Sequence, residues 1–142
     1  MQKMIYEKIY EKLDKLIPLG SKDFKEGEGF VKLKSEGFMD LNVDFLHYEH
    51  PGGNAGTKED CFIISMAHNY TQNGDVMADP DMEIAIFPKR KMAEALTYQQ
   101  DGLGIFQRVY PEPGKVSLKL KKQLNIFLNQ WLNNLKKQRF YN

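Results

Sequence analysis

The residues best suited to chemistry fall within one short polar region, between His68 and Glu83. Residues 73–83 are dense in Asn, Asp, Gly and Pro, which favours a turn. Carboxylate and amide groups in such a turn, with a phenol and an imidazole shortly before it, could form the polar rim of a ligand site. The candidate ligand-binding residues are His68, Tyr70, Asn73, Asp75, Asp79 and Asp81.

The acidic side chains of this turn also suggest a cation site, but their spacing does not fit an EF-hand loop. Asp and Asn in turns more often bond to the backbone of the turn itself. Backbone bonding is therefore the favoured interpretation, and a polar ligand-binding rim and a metal site are the alternatives. We assign no metal and no cofactor.

The three histidines, His47, His50 and His68, are the other candidates for a metal or acid–base site. If strands 41–49 and 60–70 pair as a hairpin, His47 lies near Phe62 and His68 lies near Leu41. Those positions are roughly 20 Å apart at about 3.3 Å per residue, too far to bind one ion. The motifs H-E-x-x-H, C-x-x-C and G-x-S-x-G are absent, so the catalytic residues are unknown.

The periodicity of the chain predicts an α+β fold. A helix over residues 3–17 precedes strands near 30–34, 41–49, 60–70, 82–87, 92–98 and 105–110, with the strand at 60–70 central in the sheet. Along the second strand, Leu41, Val43, Phe45 and His47 share one face. Residues 92–96 have helical propensity, but the short turns on both sides favour a strand. Residues 100–102 are predicted to form a hairpin turn of the Asp-Gly kind, in which two residues connect the strands.

A long amphipathic helix follows the strands. Ser117 is a suitable N-cap. Apolar residues recur at helical spacing, whereas Asn125 falls on the polar side with several lysines. We expect an antiparallel meander of five or six strands packed against this helix, with room for a small ligand between them. The apolar stripe consists of Leu120, Leu124, Phe127, Leu128, Trp131, Leu132 and Leu135.

Length and composition indicate one domain, residues 1–142, in which 42% of residues are hydrophobic. The 20 Lys and Arg residues balance 19 Asp and Glu residues, so a nucleic-acid partner is not expected. The basic clusters at 89–91, 119–122 and 136–139 fit a turn and a solvated helix face. A single cysteine, Cys61, allows no internal disulfide, and no signal peptide or membrane span is recognisable. These features predict a soluble cytoplasmic protein.

From about Pro80 onward the chain resembles the YqiB-like family of bacterial proteins of unknown function. The resemblance covers roughly residues 80–137 and implies no catalytic residues. It is carried by Met82 to Phe87, by Arg90 to Leu96, by Tyr110 to Pro113 and by Lys122 to Leu132.

The absence of a nucleophile–base pair, a metal-ligand spacing or a phosphate loop favours a non-enzymatic binding or adaptor protein. Its partner would be an unknown protein or small molecule, and a homo-oligomer stays open. The alternative is a small hydrolase-like enzyme that uses the polar turn at 73–83 with a histidine. A histidine within hydrogen-bonding reach of Asp75, Asp79 or Asp81 would favour the enzyme.

Overall fold

A computed structural model of the chain describes residues 4–17, 19, 29–48 and 61–140, with only the backbone at 70–72 and 76–79. The predictions for most of the connector at 19–29 and for the loop that contains His50 lie outside these residues. Two helices and seven strands are described. They are α1 (Ile5–Leu16), β1 (Phe30–Leu33), β2 (Leu41–His47), β3 (Phe62–Gln72), β4 (Asp75–Phe87), β5 (Met92–Ala95), β6 (Thr97–Gln100), β7 (Ile105–Arg108) and α2 (Leu118–Lys137).

The described strands form one antiparallel sheet in the order β1-β2-β3-β4-β6-β7, and β5 also pairs with β4. The predicted α+β fold is confirmed, and β3 is central as its apolar residues indicated. The strand predicted over 92–98 is divided at Leu96 into β5 and β6. The sheet therefore has seven strands where five or six were predicted.

Both helices pack on one face of the sheet and share its main core. Residues 62, 64 and 66 of β3 and residues 82, 84 and 86 of β4 point to this face and are fully buried. The N-cap prediction is also confirmed, because Ser117 Oγ accepts a hydrogen bond from the Leu120 N–H at 3.3 Å. In the described part of the chain, neither helix is both long enough and apolar enough to cross a membrane. The helical residues buried in the core are Ile9, Leu13, Leu124, Leu128, Trp131, Leu132 and Leu135.

The polar turn predicted at 73–83 is much shorter in the structure, because β3 and β4 continue to within two residues of each other. Asn73 and Gly74 alone connect the paired residues Gln72 and Asp75. Their φ angles are 53° and 85°, which is the backbone that an Asn-Gly hairpin turn requires. Pro80 fits within β4 because the strand register shifts there, and proline is tolerated at a bulge.

The predicted alternation of side chains along β2 is wrong after Phe45, because the strand has a β-bulge there. The register shifts between Phe45, which pairs with Ile64, and His47, which pairs with Ile63. Since one extra residue reverses the alternation, His47 leaves the core face and is exposed. Tyr48 instead packs against Phe45, with the two ring centroids 4.9 Å apart.

The strand predicted at 92–96 is confirmed, but the hairpin turn that follows β6 differs from the prediction. Gln100 and Ile105 pair, so four residues connect β6 to β7 rather than two. These residues form a 3-10 turn, Asp101–Leu103, that ends at Gly104 with φ of 65°. A glycine adopts this left-handed backbone without steric cost, which explains why the chain turns at Gly104.

Asn125 is the clearest disagreement between the sequence pattern and the structure. It was placed on the polar face of α2, but it is 1% exposed. Leu96 N–H donates to the Glu83 carbonyl of β4, so the N–H of its neighbour Ala95 points away from β4. Asn125 Oδ1 accepts a hydrogen bond from this N–H at 2.8 Å, and Asn125 Nδ2 donates to the Lys121 carbonyl at 2.7 Å. The amide thus satisfies a strand-edge donor that no strand reaches among the described residues.

We expect Trp131→Ala to lower the free energy of unfolding by about 3–5 kcal/mol, because it leaves a cavity between α2 and the sheet. Trp131 is 7% exposed and its ring lies 5.6 Å from the His68 ring. Urea denaturation followed by circular dichroism measures the change. The control is Ile126→Ala on the same helix, where the side chain is 42% exposed. A loss of similar size in both variants would contradict the packing described here.

Asn125→Leu is expected to cost about 1–3 kcal/mol although it places a larger apolar side chain in a buried position. The leucine cannot accept a hydrogen bond, so the buried Ala95 N–H loses its partner. Asn134→Leu, at an exposed position on the same helix, should change stability by less than about 0.5 kcal/mol. Hydrogen exchange of the Ala95 amide adds a local readout, and unchanged protection of that amide in Asn125→Leu would refute its role.

Candidate functional site

The candidate residues whose side chains the structure describes do not form one site. Asn73 and Asp75 are exposed at the end of the β3–β4 hairpin. Tyr70 lies in β3 and Asp79 lies in β4, and only their backbone is described. Of the six candidates, only His68 and Asp81 have described side chains that lie in the body of the sheet.

His68 is part of the packing between the sheet and α2. Its Nδ1 lies 3.1 Å from the Met39 carbonyl oxygen and 3.3 Å from the Asp40 carbonyl oxygen. Because carbonyl oxygens only accept hydrogen bonds, Nδ1 carries the proton and donates it. The ring centroid is 5.6 Å from Trp131 and 5.4 Å from Phe140. These contacts fix the ring as a structural element that joins the β1–β2 connection to α2.

His68 and Asp81 lie on opposite faces of the sheet. Asp81 pairs with Ala67, and consecutive residues of a strand point to opposite faces. His68 therefore faces α2, whereas Asp81 faces away from both helices. Neither of the other two histidines is described beside Asp81. His47 pairs with Ile63, at the opposite end of the β2–β3 pairing from His68, and His50 lies outside the described residues.

Asp81 belongs to a group of carboxylates on the outer face of the sheet. Its pKa is raised to about 6, mainly by burial and to a smaller extent by the charges of Glu83, Asp101 and Asp44. Burial also raises the pKa of Asp44. Within the described residues, no three His, Cys, Asp or Glu side chains are arranged to bind a metal ion. The group is thus a cluster of acidic side chains on one face of the sheet.

The most closely coupled polar cluster is elsewhere, where β5, the segment after β7 and α2 meet. Glu94 on β5 is buried, and its Oε2 accepts a hydrogen bond from Tyr110 Oη at 3.1 Å. Lys121 Nζ lies 3.5 Å from the same oxygen and donates to Tyr110 Oη at 3.3 Å. The Tyr6 ring of α1 lies 5.6 Å from Lys121 Nζ, within the range of a cation–π contact. The segment after β7 and α2 therefore converge on one carboxylate, and α1 contacts the cluster through Lys121.

The electrostatics of this cluster keep the tyrosine and the lysine protonated. Burial raises the pKa of Tyr110, and the Glu94 carboxylate raises it further against the opposing effect of Lys121. Burial lowers the pKa of Lys121, but attraction to Glu94 and interactions with Tyr110 outweigh it, so the net shift is upward. At neutral pH both groups are consequently hydrogen-bond donors, and Lys121 is a cation.

A cavity of about 280 Å³ adjoins the cluster. Its charged walls are Glu94, Lys121 and the exposed Arg90, and its apolar walls include Phe87 and Met92. The cavity continues the groove between α1 and α2, since Tyr6 and Lys121 line both. It combines a few convergent polar groups with apolar walls, which is the usual composition of a small-molecule site.

Sequence reasoning missed this site because its members are far apart in the chain. Glu94 appeared only as an alternating strand residue, Tyr110 only as the end of a strand and Lys121 only as part of a basic helix face. The helical propensity around Glu94 gave no sign of a buried carboxylate. The one available signal was an acidic residue between Ala93 and Ala95 in a strand of small side chains, where a neighbouring element can approach closely.

The comparisons with known proteins give one match. A family described as "Domain of unknown function (DUF6908)" matches residues 5–141. No curated protein and no solved structure matches the chain. None of these findings links the chain to the YqiB-like family, so that resemblance stays a prediction.

Asp81→Asn should stabilise the protein at about pH 8 and have no such effect near pH 4. The pKa of Asp81 in the folded state is about 6, above its ordinary value of 3.8. The folded protein therefore favours the protonated carboxyl. The stability that protonated Asp81 contributes is fully present below about pH 4 and is lost as the pH rises through about 6, where the carboxyl ionises in the folded state. Because the side chain is partly solvated, we expect a gain of about 1 kcal/mol at the higher pH.

Urea denaturation of Asp81→Asn and of the wild-type protein at both pH values measures this gain. The exposed Asp75→Asn is the control, and an equal pH dependence in the two variants would contradict the prediction.

Proposed function

The chain belongs to the DUF6908 family, whose function is unknown, and we propose from its geometry that it is a non-enzymatic binding protein for a small organic anion. The proposed site is the cavity beside Glu94, Tyr110 and Lys121. The observation that carries the proposal is an excess positive charge in this partly apolar cavity. Arg90 and Lys121 contribute two cations, and Glu94 is the one carboxylate among the lining residues that the structure describes.

Arg90 is the residue that would contact the ligand most directly. Lys121 is already committed to Glu94 and Tyr110, whereas Arg90 is exposed at the cavity wall and makes no hydrogen bond or ion pair with the described residues. A guanidinium binds a carboxylate through two parallel hydrogen bonds. Arg90 thus supplies recognition, and the Lys121–Tyr110–Glu94 cluster forms a fixed wall behind it.

The size and lining of the cavity limit the ligand class. About 280 Å³ is just below the usual range for small-molecule pockets, so a single ring or a short chain fits better than a nucleotide. The side chains of Phe87 and Met92 and the ring of Tyr6 offer apolar contacts. A monocarboxylate with a small apolar body satisfies both kinds of wall.

The cluster favours binding over catalysis because its donors retain their protons. A lysine or tyrosine that acts as a base or nucleophile needs a lowered pKa, but the pKa of each is raised here. The hydrolase-like alternative required a histidine beside the acidic turn. The placement of His68 on the opposite face from Asp81 gives that alternative no support.

The cellular setting is part of the same proposal. Cys61 is buried and is the single cysteine of the chain, which fits a reducing compartment such as the bacterial cytoplasm. A protein partner and a homo-oligomer are compatible with a binding role and are separate questions from the cavity.

The test is differential scanning fluorimetry with benzoate, phenylacetate and hexanoate, each beside its neutral amide. We expect at least one acid to raise the melting temperature by about 4 °C or more at saturation, since a ligand that binds the folded state stabilises it. The corresponding amide should have little effect. Arg90→Gln should abolish the shift, because the amide side chain cannot pair with a carboxylate as a guanidinium does.

Lys91→Gln is the matched control. It removes one positive charge from the adjacent exposed residue, which does not line the cavity. The acid-induced shift should persist in this variant. Failure of all three acids, or an equal shift with wild type and Arg90→Gln, would overturn the proposed site. Native mass spectrometry of protein from its own host then identifies which acid is retained.

A further inference from the structure

A second recess lies between α1 and the C-terminal part of α2, away from the Glu94 cavity. Its volume is about 310 Å³. The recess has an apolar floor and a basic rim, and we refer to it as the lysine groove. It is formed mainly by Lys12, Lys15, Leu16, Leu132, Lys136 and Phe140.

The floor of the lysine groove is recessed rather than projecting. Leu132 is 3% exposed and Phe140 is 8% exposed, so both belong to the main core and only their outer surfaces face the groove. An apolar side chain from another molecule could therefore enter the recess and cover them. A flat apolar surface would not select such a side chain.

The rim holds like charges that are close enough to affect one another. Burial lowers the pKa of Lys12, and the charges of Lys8 and Lys136 lower it further. Lys12 Nζ donates a hydrogen bond to Asn129 Oδ1 at 2.5 Å, which fixes the position of its ammonium group. The groove also contains one acid, Glu11, but lysines predominate along it. Negative charge from outside the chain would relieve this repulsion.

The spacing of the lysines distinguishes a polyanionic segment from a single acid group. Lys8, Lys12 and Lys15 follow the i, i+4, i+7 pattern of one helix face and so span about 10 Å along α1. One carboxylate can contact one or two of them. Several carboxylates along an extended segment can contact them all while an apolar side chain occupies the recess.

We infer that the lysine groove is a docking surface for an acidic segment of a partner protein, with one or two apolar side chains between its carboxylates. The groove and the charges both support this occupant. An anionic membrane would be contacted by projecting apolar side chains, but the floor of this groove is buried. A single-stranded nucleic acid would be bound by exposed aromatic stacking surfaces, but the aromatic ring in this lining, Phe140, is 8% exposed and the rim includes an acid.

Fluorescence anisotropy with the full-length protein tests the inference. The probe is a fluorescein-labelled short peptide in which glutamates flank a central Leu-Phe pair. We expect saturable binding that weakens as salt is added, because charge pairing contributes to the affinity. The same peptide with glutamine in place of every glutamate should bind at least about tenfold more weakly. So should a peptide with Ser-Ser in place of Leu-Phe, because nothing then enters the recess.

The protein variants compare two pairs of lysines. Lys15→Gln with Lys136→Gln removes two exposed charges from the rim and should weaken peptide binding about tenfold. Lys91→Gln with Lys119→Gln removes two exposed charges outside the groove and should leave binding unchanged. Lys12 is left intact because its bond to Asn129 contributes to the contact between the helices.

Three results would overturn the inference. The first is that the peptide does not bind, and the second is that the two lysine pairs affect its binding equally. The third is that vesicles of phosphatidylserine or an RNA oligonucleotide displace it more effectively than unlabelled peptide. A thermal shift with the small acids that survives in the Lys15→Gln, Lys136→Gln variant shows that the groove and the Glu94 cavity act independently.

Discussion

The hydrogen bond between Asn125 and Ala95 fixes α2 against the edge of the sheet, and the candidate cavity depends on this contact. Ala95 N–H points away from β4, and Asn125 Oδ1 is the acceptor that meets it. Lys121 is four residues earlier and lies on the same face of the helix, while Glu94 is the residue next to Ala95 in β5. The position of one buried amide therefore determines that Lys121 reaches Glu94. A helix shifted by one turn would preserve much of the apolar packing but would separate these two charges.

Buried polar groups of this kind explain which parts of the fold were predictable. The apolar stripe of α2 identified its core face correctly, because leucine and tryptophan at helical spacing have few alternatives to burial. The pairing of His68 with Leu41 also followed from the alternation of two strands. Asn125 was placed in solvent because hydropathy records the cost of burying an amide but not the presence of its partner. That partner is in another element, 30 residues away in sequence.

Local irregularities account for the remaining errors in the sheet. A single extra residue after Phe45 exposes His47, and the hairpin at Asn73 and Gly74 extends two strands into a region rich in turn-forming residues. Both features arise from pairing between strands, which cannot be predicted from the residues of one strand alone. The Glu94 cluster was missed for a related reason. Its three side chains come from β5, the segment after β7 and α2, and no sequence motif joins them.

The near-neutral total charge of the chain conceals local groups of like charge. The outer face of the sheet carries Asp44, Asp81 and Glu83, whereas the helices on the other face carry the lysines of the groove and of the cavity. Clustered charges of one sign raise the local concentration of oppositely charged ligands, so the lysines of the groove favour the approach of an anion. The raised pKa of Asp81 follows from the same crowding of carboxylates on the sheet side. Cationic side chains border apolar surface at both proposed sites, and this common arrangement is the physical basis for expecting acidic ligands at each of them.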